Sequence, residues 1–135
     1  MPHLPRTPQS IVIVDRRPEY ARLLVALAAA EAPALSVAAF DDLGTAERWI
    51  AAAQTPVAVF VDVLAHDGEA IRRAEAWRSV RAGVMLVAMF DANEETQAAR
   101  AAEASADAAF AKPCCRADWS RSFAALLREP ALVAV

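Results

Sequence analysis

The sequence predicts an α/β domain made of five strand–helix units around a parallel sheet. Two observations carry that prediction. Short, near-continuous apolar runs recur along the chain, as strands buried on both faces of a sheet require. Between them lie stretches with helical spacing, and this alternation implies right-handed crossovers with helices on both faces. A third observation concerns how three of the runs end. Ile11-Val12-Ile13-Val14 stops on Asp15, Val57-Ala58-Val59-Phe60-Val61 stops on Asp62, and Ala108-Ala109-Phe110-Ala111 stops on Lys112, with Pro113 next. The carboxyl ends of strands in open α/β sheets converge on the crevice that binds ligands. Asp15, Asp62 and Lys112 are therefore expected in one polar cluster.

The elements follow in order. Strands are expected to begin near Ser10, Leu35, Val57, Val84 and Asp107. The second (Leu35 to Phe40) and the fifth carry a weaker β signal, because alanine is poor in strands. Pro18 suits the first turn of a helix, and Tyr20 to Ala30 continues it until Pro33. Asp42 or Thr45 can cap a second helix through Ala46, Trp49, Ile50 and Ala53, stopped before Pro56. Asp67 is read as the opening of a third, carrying Ile71, Ala74, Trp77 and Arg78 before Gly83. Asn93 is read as the cap of a fourth, alanine-rich helix ending near Ser105. A fifth is expected from about Arg116 to Arg128, with Trp119, Phe123, Leu126 and Leu127 on one stripe. The expected organisation is a flexible segment over residues 1–9, one domain over 10–129 and a tail over 130–135.

At 135 residues the chain is one domain by size, with room for a real core. A composition 57% hydrophobic and 23% charged is globular rather than disordered. The net charge of −3, without a basic stripe, argues against nucleic acid as a partner. Arg72-Arg73 reads as a solvated helix face. No apolar run reaches the roughly 18 residues needed to span a bilayer, and Met1 to Ser10 lacks the apolar centre of a signal peptide, so a cytoplasmic location is expected. Cys114 and Cys115 are adjacent; consecutive Cα atoms lie about 3.8 Å apart, too close for the usual disulfide span, and their spacing is not that of a zinc site.

The three glycines, Gly44, Gly68 and Gly83, form no phosphate-cradling motif, which disfavours a dinucleotide or nucleotide enzyme. No nucleophile elbow is present. Tyr20 and the tryptophans fall at helical spacing and read as packing. The acid and lysine cluster remains. A carboxylate can accept a phosphoryl group. Magnesium held by carboxylates and a nearby cation would neutralise charge in such a transfer, and a lysine can pair with phosphoryl oxygens as a point charge. The alternative is that Asp15 and Asp62 are polar strand ends paired with Arg16 and Lys112.

Over about Ser10 to Glu129 the pattern resembles the receiver domain of two-component response regulators. The likeness rests on the strand–helix order, the apolar runs ending at Asp15 and Asp62, the Asp67-Gly68 pair and Lys112-Pro113. It implies a flavodoxin-like doubly wound sandwich with strand order 2-1-3-4-5. It also implies Asp62 as candidate phosphoacceptor, Lys112 as the cation pairing with the phosphoryl group, Asp15 beside magnesium, and a Lys112-Pro113 bond of the cis form, which proline permits at a cost of about 0.5–1 kcal/mol.

The departures define the reading further. The family carries two acids after its first strand, and the second touches magnesium; here that residue is Arg16, so the site at Asp15 is a weak or lost magnesium site. The loop Val63-Leu64-Ala65-His66 is short and lacks the family's proline. The family's hydroxyl at the end of the fourth strand falls on Phe90, or on Ala88 in a shifted register. Its aromatic switch position is Ala109. A large residue at Phe90 and a small one at Ala109 suggest a volume exchange that fills the space the switch would use. Arg16 can reach Asp62 and supply the positive charge magnesium would give.

These observations define an atypical, pseudo-receiver-like signalling module rather than an enzyme. It would act by contact with a histidine kinase, a phosphotransferase or another signalling protein, with a homodimer possible and neither nucleic acid nor membrane as partner. The alternative is a receiver still phosphorylated on Asp62. An unrelated flavodoxin-like binding domain is the third reading.

Overall fold

The computed structural model describes residues 9–53, 56–80, 83–91, 93–103, 106–112 and 117. The expected fifth helix apart from residue 117, the Lys112-Pro113 bond, the Cys114-Cys115 pair, Trp119 and the C-terminal tail lie outside them, as does all but the last residue of the 1–9 segment.

Five strands, β1 (Ser10–Val14), β2 (Ser36–Ala39), β3 (Val57–Asp62), β4 (Val84–Asp91) and β5 (Ala108–Lys112), form one parallel sheet in the order β2-β1-β3-β4-β5. This is the doubly wound α/β architecture expected from the alternation of runs. Every residue of β1 and β3 is buried, which is why those runs are apolar on both faces between Ser10, which opens β1, and Asp62, which closes β3. β2, at the edge, is four residues long and only partly covered, so alanine and serine suffice there. A short edge strand also offers little to a foreign strand.

The alternation of side chains along each strand splits the core in two. Ile11, Ile13, Ala58, Phe60, Val87 and Met89 meet Leu24 and Leu27 of α1 (Pro18–Glu31) on one face. On the other, β-strand valines meet Leu43, Ala46 and Ile50 of α2 (Leu43–Ala52) and Ile71, Ala74 and Trp77 of α3 (Glu69–Val80). Ala101 of α4 (Glu95–Glu103) closes the same layer. Pro18 occupies the first turn of α1, and Asp42 caps α2 by accepting the Thr45 backbone N–H at 2.8 Å and the Thr45 hydroxyl at 2.6 Å.

Two helix starts differ from the sequence reading. The third helix begins at Glu69 rather than Asp67. His66 (φ 52°), Asp67 (φ 55°) and Gly68 (φ 88°) all take left-handed backbone in a turn over Ala65–Gly68. The fourth begins at Glu95, with the Ala98 N–H bonded to the Glu94 carbonyl, so Asn93 lies in the turn before it rather than at its cap.

Polar ties fix α2 and α3. Glu47 accepts the Trp77 indole N–H at 2.7 Å and Arg73 at 3.2 Å, so Trp77 is packing with a partner, and Arg73 is not merely solvated. Arg72 pairs with Glu69 on the exposed side. Arg78 grips Asp107 through Nε (2.9 Å) and Nη2 (2.6 Å), while Asp107 Oδ2 also accepts the Leu86 N–H of β4 at 2.8 Å. That carboxylate holds the Arg78 guanidinium pKa above its ordinary value. Asp107→Ala orphans a backbone donor inside the sheet and removes a forked ion pair. It is expected to cost about 1–3 kcal/mol in urea unfolding.

Candidate functional site

Four strands end on charged residues at one rim of the sheet. Asp15 follows β1, and Asp62, Asp91 and Lys112 are the last residues of β3, β4 and β5. Parallel register places them together, with Asp62 opposite Met89 and Asp91 opposite Lys112.

The side chains of Asp15 and Asp62 are fully buried, and that of Lys112 is 5% exposed. Lys112 Nζ lies 2.8 Å from Asp15 Oδ2 and donates to Asp62 Oδ2 at 3.2 Å. It also sits 4.9 Å from the centre of the Tyr20 ring, a cation–π contact. Backbone donors hold the other carboxylate oxygens: Arg17 N–H on Asp15 Oδ1 at 2.9 Å and Leu64 N–H on Asp62 Oδ1 at 3.0 Å. The Lys112 contact to Asp15 Oδ2 is an ion pair off hydrogen-bond geometry, and no other donor among the described residues reaches that oxygen. Burial pushes the Asp15 carboxyl pKa up, while Lys112 and the Arg17 N–H pull it the other way.

Arg16 turns inward over this pair. Its Nε lies 3.3 Å from Asp62 Oδ2, and its Nη2 donates to Asp91 Oδ2 at 2.8 Å. Arg17 Nη2 reaches the same Asp91 oxygen at 3.4 Å. Gln97, buried at the start of α4, completes the Asp91 shell: its Oε1 accepts the Asp91 N–H at 3.1 Å and its Nε2 donates to Asp91 Oδ2 at 3.3 Å. Three carboxylates thus face three cations, and Asp62 Oδ2 carries two of those cations directly.

The sequence-predicted residues Asp15, Asp62, Lys112 and Arg16 therefore meet. Phe90 is half-buried against the α2–α3 layer, paired in register with Ala111, while Ala109 is exposed and opposite Ala88. By strand alternation Phe90 and Ala109 lie on the same face of neighbouring strands. Asp91, Arg17 and Gln97 were not singled out from sequence. The available signal was that the fourth apolar run also stops on an acid, by the rule that found Asp15 and Asp62.

A magnesium ion needs an octahedron of oxygen ligands, one or two of them carboxylate. Asp15 Oδ2 has Lys112 Nζ 2.8 Å away, Asp62 Oδ2 is covered by Lys112 and Arg16, and Asp91 is engaged by two arginines and a glutamine. Among the described residues no three acidic, histidine or cysteine side chains form a set that could hold a metal ion. The arrangement as it stands does not fit magnesium.

No family model and no curated protein matches the chain. Solved structures do. The signal receiver domain of a DNA-binding response regulator from Colwellia psychrerythraea 34H is 19% identical with a TM-score of 0.68, covering 88% of this chain and 98% of that one. A two-component response regulator from Clostridium difficile is 20% identical with a TM-score of 0.67, covering 89% and 96%. The beryllofluoride-activated NtrC4 receiver domain dimer is 16% identical with a TM-score of 0.70, covering 90% and 98%. The chain has the fold of response-regulator receiver domains, with the strand order 2-1-3-4-5 that the resemblance implies. No helix among the described residues is long and apolar enough to cross a membrane.

Proposed function

We propose that this chain is a receiver-type module of two-component signalling that acts through protein contact, with Arg16 taking the place of the metal at Asp62. One observation carries the reading. The Arg16 guanidinium bridges Asp62 Oδ2 at 3.3 Å and Asp91 Oδ2 at 2.8 Å, where the family resemblance puts an acid that would touch magnesium. A fixed cation on the acceptor oxygen neutralises the charge an ion would neutralise and covers the oxygen that would attack phosphorus. Phe90, packed at the end of β4, and the small Ala109 beside it leave no hydroxyl and no ring to exchange positions. The module is thus held in one arrangement and presents its helical faces to a histidine kinase, a phosphotransferase or another signalling protein. Catalysis is not part of this role, and a homodimer is compatible with it.

A second reading has its own support. Lys112 still pairs with Asp62, and the Leu64 N–H still orients its other oxygen, so acceptor and cation of a phosphoryl-transfer site persist. Incubation with acetyl phosphate and magnesium, followed by intact-mass analysis, separates the two. The proposal expects no phosphoryl adduct above the level of an Asp62→Asn control. Stoichiometric labelling of Asp62 at an ordinary receiver rate overturns it.

A further inference from the structure

On the α4 side of Arg16 the rim opens into a cleft of about 400 Å³, lined by Arg16, Leu64, His66, Asp67 and Arg100. Asp62 is not among the lining residues. Arg16 engages Asp62 through Nε and Asp91 through Nη2. A guanidinium carries five N–H donors, so Arg16 has donors left to offer. Arg100 forms no ion pair among the described residues. Its guanidinium nonetheless lies against the turn: a Cβ added to Gly68 would stand 3.1 Å from Arg100 Nη1 and 4.0 Å from its Cζ. Gly68 therefore serves twice, allowing the positive φ and leaving room for this side chain.

The turn that forms the floor is itself held in a costly shape. His66 (φ 52°, ψ 44°) and Asp67 (φ 55°, ψ 36°) are consecutive left-handed residues that are not glycine, each costing about 1–2 kcal/mol. Held strain of this kind clusters at ligand clamps. Two arginines and a histidine line the cleft with a single acid, Asp67. Forked N–H donors match the oxygens of phosphate in spacing and plane.

We propose that this cleft binds a small phosphate-type oxyanion non-covalently, between Arg16 and Arg100 and beside His66. The site does not depend on whether Asp62 is modified. Through it the module senses the anion by occupancy, without a covalent bond.

The test is an NMR titration of the full chain with inorganic phosphate, chloride being exchanged to hold ionic strength constant. The expected result is saturable movement of the backbone amides of residues 64–68 and of the Arg16 and Arg100 Nε–H signals. Arg100→Gln should weaken the affinity roughly tenfold, the loss of one charge-assisted contact, and Arg100→Lys should recover part of it. The amide spectrum of each variant verifies the fold. A parallel titration with O-phosphoserine distinguishes the free anion from a phosphate ester: Arg100-dependent binding of either supports the site. Non-saturating shifts, or shifts equal in the wild type and Arg100→Gln, overturn it.

Discussion

Replacing Lys112 with alanine is expected to lower stability by about 3–5 kcal/mol, the usual cost of removing one partner from a buried ion pair. Lys112 is shared by two acids whose side chains are fully buried, so among the described residues its loss leaves Asp15 without an ion-pair partner and Asp62 with Arg16 alone. A loss of that size is a large part of what holds a domain of this size together. Urea unfolding near neutral pH measures it. The pH dependence gives the sign a second check. The Asp15 carboxyl already titrates above its ordinary value of 3.8, chiefly through burial. The native state therefore holds more protons than the unfolded chain there, and stability falls as pH rises through that interval. Without Lys112 the interval extends upward, so the gap between variant and wild type should narrow as the medium is acidified into the carboxylate range. A gap that is constant with pH would mean Lys112 acts by packing on Tyr20 rather than by charge.

The second large effect is a gain. Arg16→Asp removes the guanidinium from Asp62 and Asp91 and adds a carboxylate beside Asp15. Asp62 then keeps Lys112 as its one cation among the described residues, Asp91 keeps Arg17, and the added carboxylate joins Asp15 in the kind of oxygen set a hard divalent cation takes. Magnesium affinity is expected to rise at least about tenfold over the wild type. The metal-free variant should be less stable than the wild type and regain stability as magnesium is added, because binding to the native state alone is linked to folding.

How much of this could be read before the fold was known follows from what each signal requires. Strands buried on both faces announce themselves as apolar runs, so β1 and β3 were legible along with the acids that end them. The convergence of Asp15, Asp62 and Lys112 needed only the rule about carboxyl ends. The reach of Arg16 to Asp62 was legible as well, because the two loops are neighbours in any parallel sheet of this order. Its second grip, on Asp91, is not legible, because it depends on β4 running one residue past Phe90 to end on Asp91. The turn over Ala65–Gly68 was misread for a physical reason. Gly68 signals positive φ, but His66 and Asp67 share it without being glycine, and a capping pattern cannot report that. The Glu47–Trp77 and Arg78–Asp107 ties join residues 30 and 29 positions apart. Their pairing depends on how helices settle on the sheet, which no local pattern carries.

The claim at the centre is that Arg16 occupies the place of the metal at Asp62. A magnesium titration of the wild-type chain, followed at the Leu64 backbone amide that donates to Asp62, reads it most directly. The arrangement of Arg16 and Lys112 predicts no saturable shift at millimolar magnesium in the wild type and a saturable one in Arg16→Asp. Saturable binding by the wild type, with Arg16 unchanged, contradicts it.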